Sequence, residues 1–122
     1  MDEPHVIVDF DFEDGLLFVA VENISPLPVC DVTVRFSPGF RRAGDRPVDE
    51  LALFSRLRFL APGKRIRAFV DEASAFFARG EPTEIAAHIE YETTPARHRH
   101  RHVVNHDLEI YRDLGYIRRS LP

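Results

Sequence analysis

The stretch CDVTVRF, residues 30–36, places an apolar side chain at every second position: Cys30, Val32, Val34 and Phe36. Successive side chains of a β-strand point to opposite faces of a sheet, so this period of two predicts a strand with one face in the core and one in water. Runs with similar alternation lie on both sides of it, and Gly and Pro separate them. The stretch therefore indicates an all-β fold.

Seven strands are expected in total. They cover residues 5–12, 16–22, 29–36, 51–60, 64–70, 83–92 and 98–111. Turn chemistry supports two of the connections, because Asp14-Gly15 is typical of a two-residue hairpin turn and Pro62-Gly63 of a type II turn. A short helix should follow the fifth strand, with Asp71 as its cap and Gly80 at its end. This order predicts an all-β, Ig-like antiparallel β-sandwich of about seven strands with one short connecting helix.

The composition fits one soluble domain. The chain has 122 residues, of which 44% are hydrophobic, and ten Phe supply most of the large side chains. We expect a single domain over 1–122, with its core over about 5–112 and a C-terminal tail over 113–122. The single Cys30 cannot form an intrachain disulfide, the N-terminus resembles no secretory signal, and no run approaches the roughly 20 apolar residues that span a bilayer. These features favour a cytoplasmic protein without membrane insertion.

The charges are unevenly spread along the chain. Residues 1–31 contain eight acidic residues and no Lys or Arg, whereas six Arg follow Pro95. The first and last strands of a sandwich are often neighbours, so the two ends could complement each other within the fold. The net charge of −4 and the lack of aromatic residues among the basic ones argue against a nucleic-acid partner.

The least expected feature is the run Arg97-His98-Arg99-His100-Arg101-His102, with His106 beyond it. On a strand, the Arg and His side chains separate onto opposite faces. A four-residue turn over 94–97 pairs the last two strands in one register: Tyr91 with His100, Ile89 with His102, Glu90 with Arg101 and Glu92 with Arg99. Arg–Glu pairs across a sheet are mildly favourable.

The same register places three of the histidines in a row. Val104, Leu108 and Ile110 should face the core, so even-numbered positions point inward. His98, His100 and His102 then line the inward side near one end of the sandwich. His106 lies deeper, unless a β-bulge near Asn105 turns it outward.

Four interpretations of this cluster stay open. It could be a solvated strand end, a surface for a protein partner, a metal site or a nucleic-acid contact, the last being disfavoured by charge. A metal site is conceivable because imidazoles at alternate positions of a strand can hold one zinc or nickel ion. The weak candidate ligands are His98, His100, His102 and His106.

No motif for catalysis is present. No Ser lies in a G-x-S-x-G context, and no nucleophile or carboxylate pair lies in a recognisable catalytic pattern, so we expect neither an enzyme nor a cofactor. A second candidate surface is an apolar strip of the second strand, formed by Leu17, Val19 and Val21, if the outer face of its sheet is uncovered.

Six segments in fixed order carry a resemblance to a known domain: VEN at 21–23, VTVRFSP at 32–38, FLAPGKRI at 59–66, FFAR at 76–79, IEY at 89–91 and DLEIYR at 107–112. Together they resemble an uncharacterised Ig-like β-sandwich domain found mainly in actinobacterial proteins, over most of the chain from Gly15 to Tyr116. In those relatives the domain is often anchored by a membrane helix, which this chain lacks. The resemblance implies a binding or scaffolding module and brings no catalytic residue.

We therefore expect a non-enzymatic protein–protein interaction or structural assembly module, with a protein partner or self-assembly. Its expected binding surface is formed by Arg97, His98, Arg99, His100, Arg101 and His102. The alternative is a metal-binding domain that uses zinc or nickel at the His-rich last hairpin.

Overall fold

Two antiparallel β-sheets pack face to face in the computed structural model, which describes residues 5–93 and 97–114 (side chains as far as Arg112). The strands are β1 (Val6–Glu13), β2 (Leu16–Asn23), β3 (Val29–Ser37), β4 (Arg41–Arg42), β5 (Arg46–Pro47), β6 (Leu57–Leu60), β7 (Arg65–Glu72), β8 (Glu84–Thr93) and β9 (His98–Asp107). One sheet has the order β1-β2-β7 and the other the order β6-β3-β8-β9, while β4 and β5 form a separate ribbon. The predicted all-β sandwich is confirmed.

The helices are short. They are a 3₁₀ turn at Val48–Glu50, α1 at Ala52–Ser55, α2 at Ala73–Ala78 and α3 at Ile110–Leu114. The predicted connecting helix corresponds to α2, whereas the 3₁₀ turn, α1 and α3 were not predicted. None of the helices in the described part of the chain is long and apolar enough to cross a membrane.

The core lies between the two sheets and is rich in aromatic rings. Alternate residues of several strands supply much of it, such as Val6, Val8 and Phe10 from β1. Phe36 packs edge-on against Phe40 and Phe54, with ring centroids 5.0 and 5.2 Å apart. Edge-on contacts of this kind add to the free energy gained from burying the rings.

The turns follow the sequence closely. Asp14 and Gly15 both have positive φ, as a two-residue hairpin turn of right-handed twist requires. Gly63 has φ +73°, and the Lys64 N–H donates to the Ala61 carbonyl at 3.1 Å, which closes the predicted turn. Gly80 has φ +73° just after α2 and ends it as predicted.

A buried amide links two loops at one end of the sandwich. The side chain of Asn23 is inaccessible to solvent, and its Nδ2 donates to the carbonyls of Leu27 at 2.7 Å and Leu60 at 3.1 Å. Its Oδ1 accepts from the N–H and the hydroxyl of Ser25. Every polar atom of this side chain therefore has a partner, which offsets the free-energy cost of burying it.

The predicted strand over 51–60 is wrong in its first half. The chain there forms the 3₁₀ turn and α1, and strand β6 begins only at Leu57. Phe54 is 1% exposed, and its N–H donates to the Leu51 carbonyl at 2.9 Å. A helical turn places Phe54 in the core beside Phe36, which an extended chain with Leu51 and Leu53 inward would not do.

Two other boundaries also differ from the prediction. Asp71 lies within β7 and forms an ion pair with Arg79, while Glu72 occupies the cap position of α2. The last strand ends at Asp107, so Ile110 lies in α3 and is 63% exposed instead of facing the core.

The outer face of the three-stranded sheet is covered by ion pairs. Arg65 and Arg67 extend from β7 across β2 to the carboxylates of β1, where Arg67 reaches Glu13 at 2.9 Å. Ala20, between them, has no exposed area as a result. The acidic first strand is thus complemented from β7.

The prediction of an exposed apolar strip on β2 is wrong, because the odd-numbered residues of this strand lie on its inward side. Leu17, Val19 and Val21 all face the core and have no exposed area. The opposite side of β2 carries Phe18, with the Arg67 guanidinium 4.0 Å above its ring.

Candidate functional site

The predicted register of the last hairpin is confirmed. Strands β8 and β9 pair along their whole length without a shift: Tyr91 with His100, Ile89 with His102, Glu90 with Arg101 and Glu92 with Arg99. The turn residues 94–96 lie outside the described part, and Arg97, which follows them, is exposed and has φ +52°. Arg and His side chains therefore lie on opposite faces of the sheet.

The arginines form ion pairs on the outer face. Arg99 reaches Glu90 at 2.7 Å and Glu92 at 3.0 Å, whereas Arg101 approaches Glu90 only to 3.5 Å. Hydrogen bonds from Arg99 hold the pKa of the Glu90 carboxyl below its usual range, and the charge of Arg101 acts in the same direction. The side chain of Arg101 is 76% exposed, so it can contact a partner.

His100 and His102 face inward and both contact Tyr91, and His100 also contacts Thr93. His100 stacks on the Tyr91 ring at a centroid distance of 5.2 Å, and its Nε2 lies 3.1 Å from Thr93 Oγ1. His102 places Nε2 2.6 Å from Tyr91 Oη. The ring of His5, just before β1, lies 4.7 Å from that of His102. His102 thus links β9 to the chain just before β1, whereas His100 contacts β8.

His106 continues this row. Its Nε2 lies 2.8 Å from the Val8 carbonyl, and because a carbonyl can only accept, Nε2 carries the proton and donates. The ring also meets Phe10 edge-on at 5.0 Å. The pairing of β9 passes Asn105 without a bulge, so His106 points inward.

His98 stands apart from the other three. It is exposed, and its ring centroid lies 6.2 Å from that of His100. Over residues 5–93 and 97–114, no group of three or more His, Cys, Asp or Glu side chains could hold a metal ion. A zinc or nickel site at these histidines stays a prediction without support from the described residues.

Tyr111 contributes to the seam between β1 and the inward histidines of β9, a role that the sequence pattern did not indicate. Its Oη donates to the Phe10 carbonyl at 3.1 Å, and its ring stacks on Phe12 at 5.8 Å. Burial raises the pKa of the Tyr111 phenol, and the nearby carboxylates of Asp9 and Asp11 raise it further. The signal in the sequence was an aromatic residue with a polar tip just after the last strand.

Three of the four sheet edges are short or covered. Strand β6 has four residues, and the edge of β7 receives a hydrogen bond from the Ala43 N–H to the Val70 carbonyl. On β1, the outward carbonyls of Val8 and Phe10 accept from His106 and Tyr111, as described above. Covered or short edges prevent a sheet from pairing with other chains.

Strand β9 is the exception. It has ten residues and is last in its sheet, and no described segment pairs with its outer side. The Leu108 N–H donates to the Thr83 carbonyl at 2.7 Å, which continues the ladder with β8. Because bonding alternates along an antiparallel pair, odd-numbered residues of β9 turn their N–H and C=O groups to the open edge. Among them, Val103 is 56% exposed.

A family comparison covers most of the chain. Residues 1–112 match a family described as a domain of unknown function (DUF8453), and the chain belongs to this family. No curated protein and no solved structure matches the chain.

Proposed function

We propose that this member of the DUF8453 family is a non-enzymatic protein-interaction module that binds a protein partner along the edge strand β9. The observation that carries the proposal is the contrast between β9 and the other three edges of the sandwich. A ten-residue edge strand with outward backbone groups is a template for one further strand.

The side chains of β9 suit a partner strand. Of the predicted binding residues, Arg97 precedes β9 and the other five, His98 to His102, form its first half, where Arg99 and Arg101 lie on the outer face and His98 is exposed. Backbone hydrogen bonds would supply affinity, and the outward arginines would select acceptors or acidic side chains on the partner. His100 and His102 support the strand from inside and would not contact the partner directly.

The Ig-like interpretation is part of this proposal. In immunoglobulin domains the first, second and fifth strands share one sheet, as β1, β2 and β7 do here. Strand β6 pairs with β3 and so belongs to the second sheet. A scaffolding role like that of actinobacterial, membrane-anchored relatives, a cytoplasmic location and the absence of a nucleic-acid partner also belong to it.

A photo-crosslinking experiment in the native cell tests the proposal. A benzophenone amino acid replaces Arg101 on the β9 edge or, as a control, Phe59 on the opposite edge strand β6. Phe59 is 59% exposed and lies on the outer face of the same sheet. We expect protein adducts from position 101 that are absent at position 59. Equal adducts from both positions, or none from position 101, would overturn the proposal.

A further inference from the structure

We infer that β9 pairs with β9 of a second copy of this chain, antiparallel about a two-fold axis through Val103. The inference rests on the proposed function, because both need β9 as a docking edge, and it adds the partner, the symmetry and the register. Each copy would extend the four-stranded sheet of the other.

The backbone makes this pairing possible. Residues 99, 101, 103, 105 and 107 turn their N–H and C=O groups to the open edge, as the ladder to β8 requires. Val103 is the middle residue of these five. An axis at Val103 therefore places every outward group of one copy opposite an outward group of the other.

The charges on the outer face of β9 are arranged in two halves. Arg99 and Arg101 make the first half basic, and Asp107 makes the second half acidic, with Glu84 beside it on β8. Within the described residues, neither Glu84 nor Asp107 forms an ion pair, and an open depression of about 520 Å³ lies beside them. The acidic half thus offers room for a guanidinium group.

A two-fold axis at Val103 places the basic half of β9 in one copy against the acidic half of β9 in the other. It sets Arg99 opposite Asp107 of the second copy and Arg101 opposite Asn105, with Asp107 on the diagonal. Opposite charges at such positions stabilise a strand pair. A symmetric interface of this kind is self-complementary, as a closed dimer requires.

Neighbouring registers fit less well. An axis at His102 sets Arg101 against Val103 of the second copy and Arg99 against Asn105, and it brings only Arg97, which precedes the strand, opposite Asp107. An axis at Val104 sets Arg101 opposite Asp107, but it moves Arg99 past the end of the strand and sets each Val103 against Asn105 instead of against the other valine. The axis at Val103 also brings the two half-exposed valines together at the centre, where they bury apolar area.

Sedimentation equilibrium of the full chain over a wide concentration range tests the inference. We expect the mass to rise from 14.0 kDa toward twice that value with concentration. Val103→Lys places like charges against each other on the axis and should raise the dissociation constant at least about tenfold. Phe59→Lys makes the same change on β6 and should leave it unchanged. Circular dichroism and melting temperature check that each variant is folded.

A second variant tests the charges without changing the fold. Asp107→Asn keeps the oxygen that accepts the Glu109 N–H but removes the charge, so dimerisation should weaken about threefold to tenfold. Wild type that stays monomeric at every concentration, or Val103→Lys that dimerises like wild type, would overturn the inference. If the chain is monomeric and position 101 crosslinks to a different protein, self-pairing fails while the proposed function stands. Without an adduct and without a dimer, both fail.

Discussion

Strands β1 and β9 lie side by side along one flank of the sandwich, and both are the last strands of their sheets. The outward carbonyls of β1 accept hydrogen bonds from His106 and Tyr111, and the Phe10 N–H donates to Asp9 Oδ1 at 2.9 Å. On β9, by contrast, no described residue bonds to the outward backbone groups. The segment from β9 into α3 thus closes the edge of the neighbouring sheet, while the described residues leave the edge of β9 itself open.

The difference follows from the residue types on the two faces of β9. An apolar side chain at position 106 would pack in the seam but would leave the Val8 carbonyl without a donor. Imidazole fills the space and donates as well, which offsets the cost of burying a carbonyl. The histidine row is therefore explained in part by the needs of β1, whereas the arginines of the outer face form ion pairs with Glu90 and Glu92.

Among the variants that test this difference between the two strands, removal of the His106 side chain should cause the largest loss of stability. His106→Ala removes the donor to Val8 and the edge contact with Phe10, so we expect a loss of about 2 kcal/mol in the free energy of unfolding. Urea denaturation measures it. The control is Asn105→Ala, the adjacent exposed residue on the outer face, which should change stability by less than about 0.5 kcal/mol. Equal losses of stability in both variants would contradict the role of His106 in closing the seam between β9 and β1.

Removal of the Tyr111 hydroxyl should have a smaller effect. Tyr111→Phe keeps the stacking on Phe12 and removes only the hydrogen bond to Phe10, so we expect a loss of about 1 kcal/mol. The folded-state pKa of this phenol is raised, which favours the neutral form. Its contribution is therefore complete below the usual value of about 10 and is lost as the pH rises through the folded-state pKa. A difference from wild type that is unchanged far into the alkaline range would contradict this assignment.

Removal of the Glu90 charge on the outer face of β8 should have the smallest effect on stability. Glu90 has a lowered pKa, so its contribution to stability is present above the usual range of a Glu carboxyl and is lost as the pH falls through the folded-state value. Glu90→Gln should lower the melting temperature at neutral pH by about 2 °C or less, and not at all in strong acid. The control is Glu84→Gln on the same face of β8, measured where the chain is monomeric. A larger shift for Glu84→Gln than for Glu90→Gln would count against the Arg99 ion pairs.

The sequence predicted the β8–β9 hairpin correctly because both strands alternate strictly and the turn between them is short. The inward row of histidines followed from that register. Strand β2 was different, since Leu16, Phe18 and Ala20 are as apolar as Leu17, Val19 and Val21. Its alternation alone does not decide which side faces outward, but the two-residue turn at Asp14-Gly15 pairs Phe10 with Val19 and so sets the inward side of β2 from that of β1.

The closed and open edges could not be predicted in the same way. Which strand ends a sheet depends on pairing between segments far apart in the chain, and residue types carry little information about it. Tyr111 was placed in the last strand by continuing its alternation, although the chain turns into α3 after Asp107. The hydrogen bond from Tyr111 to β1 depends on that turn.

Asn23 has a consequence for how the chain can be produced. Asn23-Ile24-Ser25 matches the sequence to which N-linked glycans are attached, and the glycan would be joined to Nδ2. That nitrogen is the atom that holds the carbonyls of Leu27 and Leu60 inside the protein. Folding and glycosylation at this position therefore exclude each other. In a eukaryotic secretory pathway, a chain modified before it folds would be unable to close this end of the sandwich.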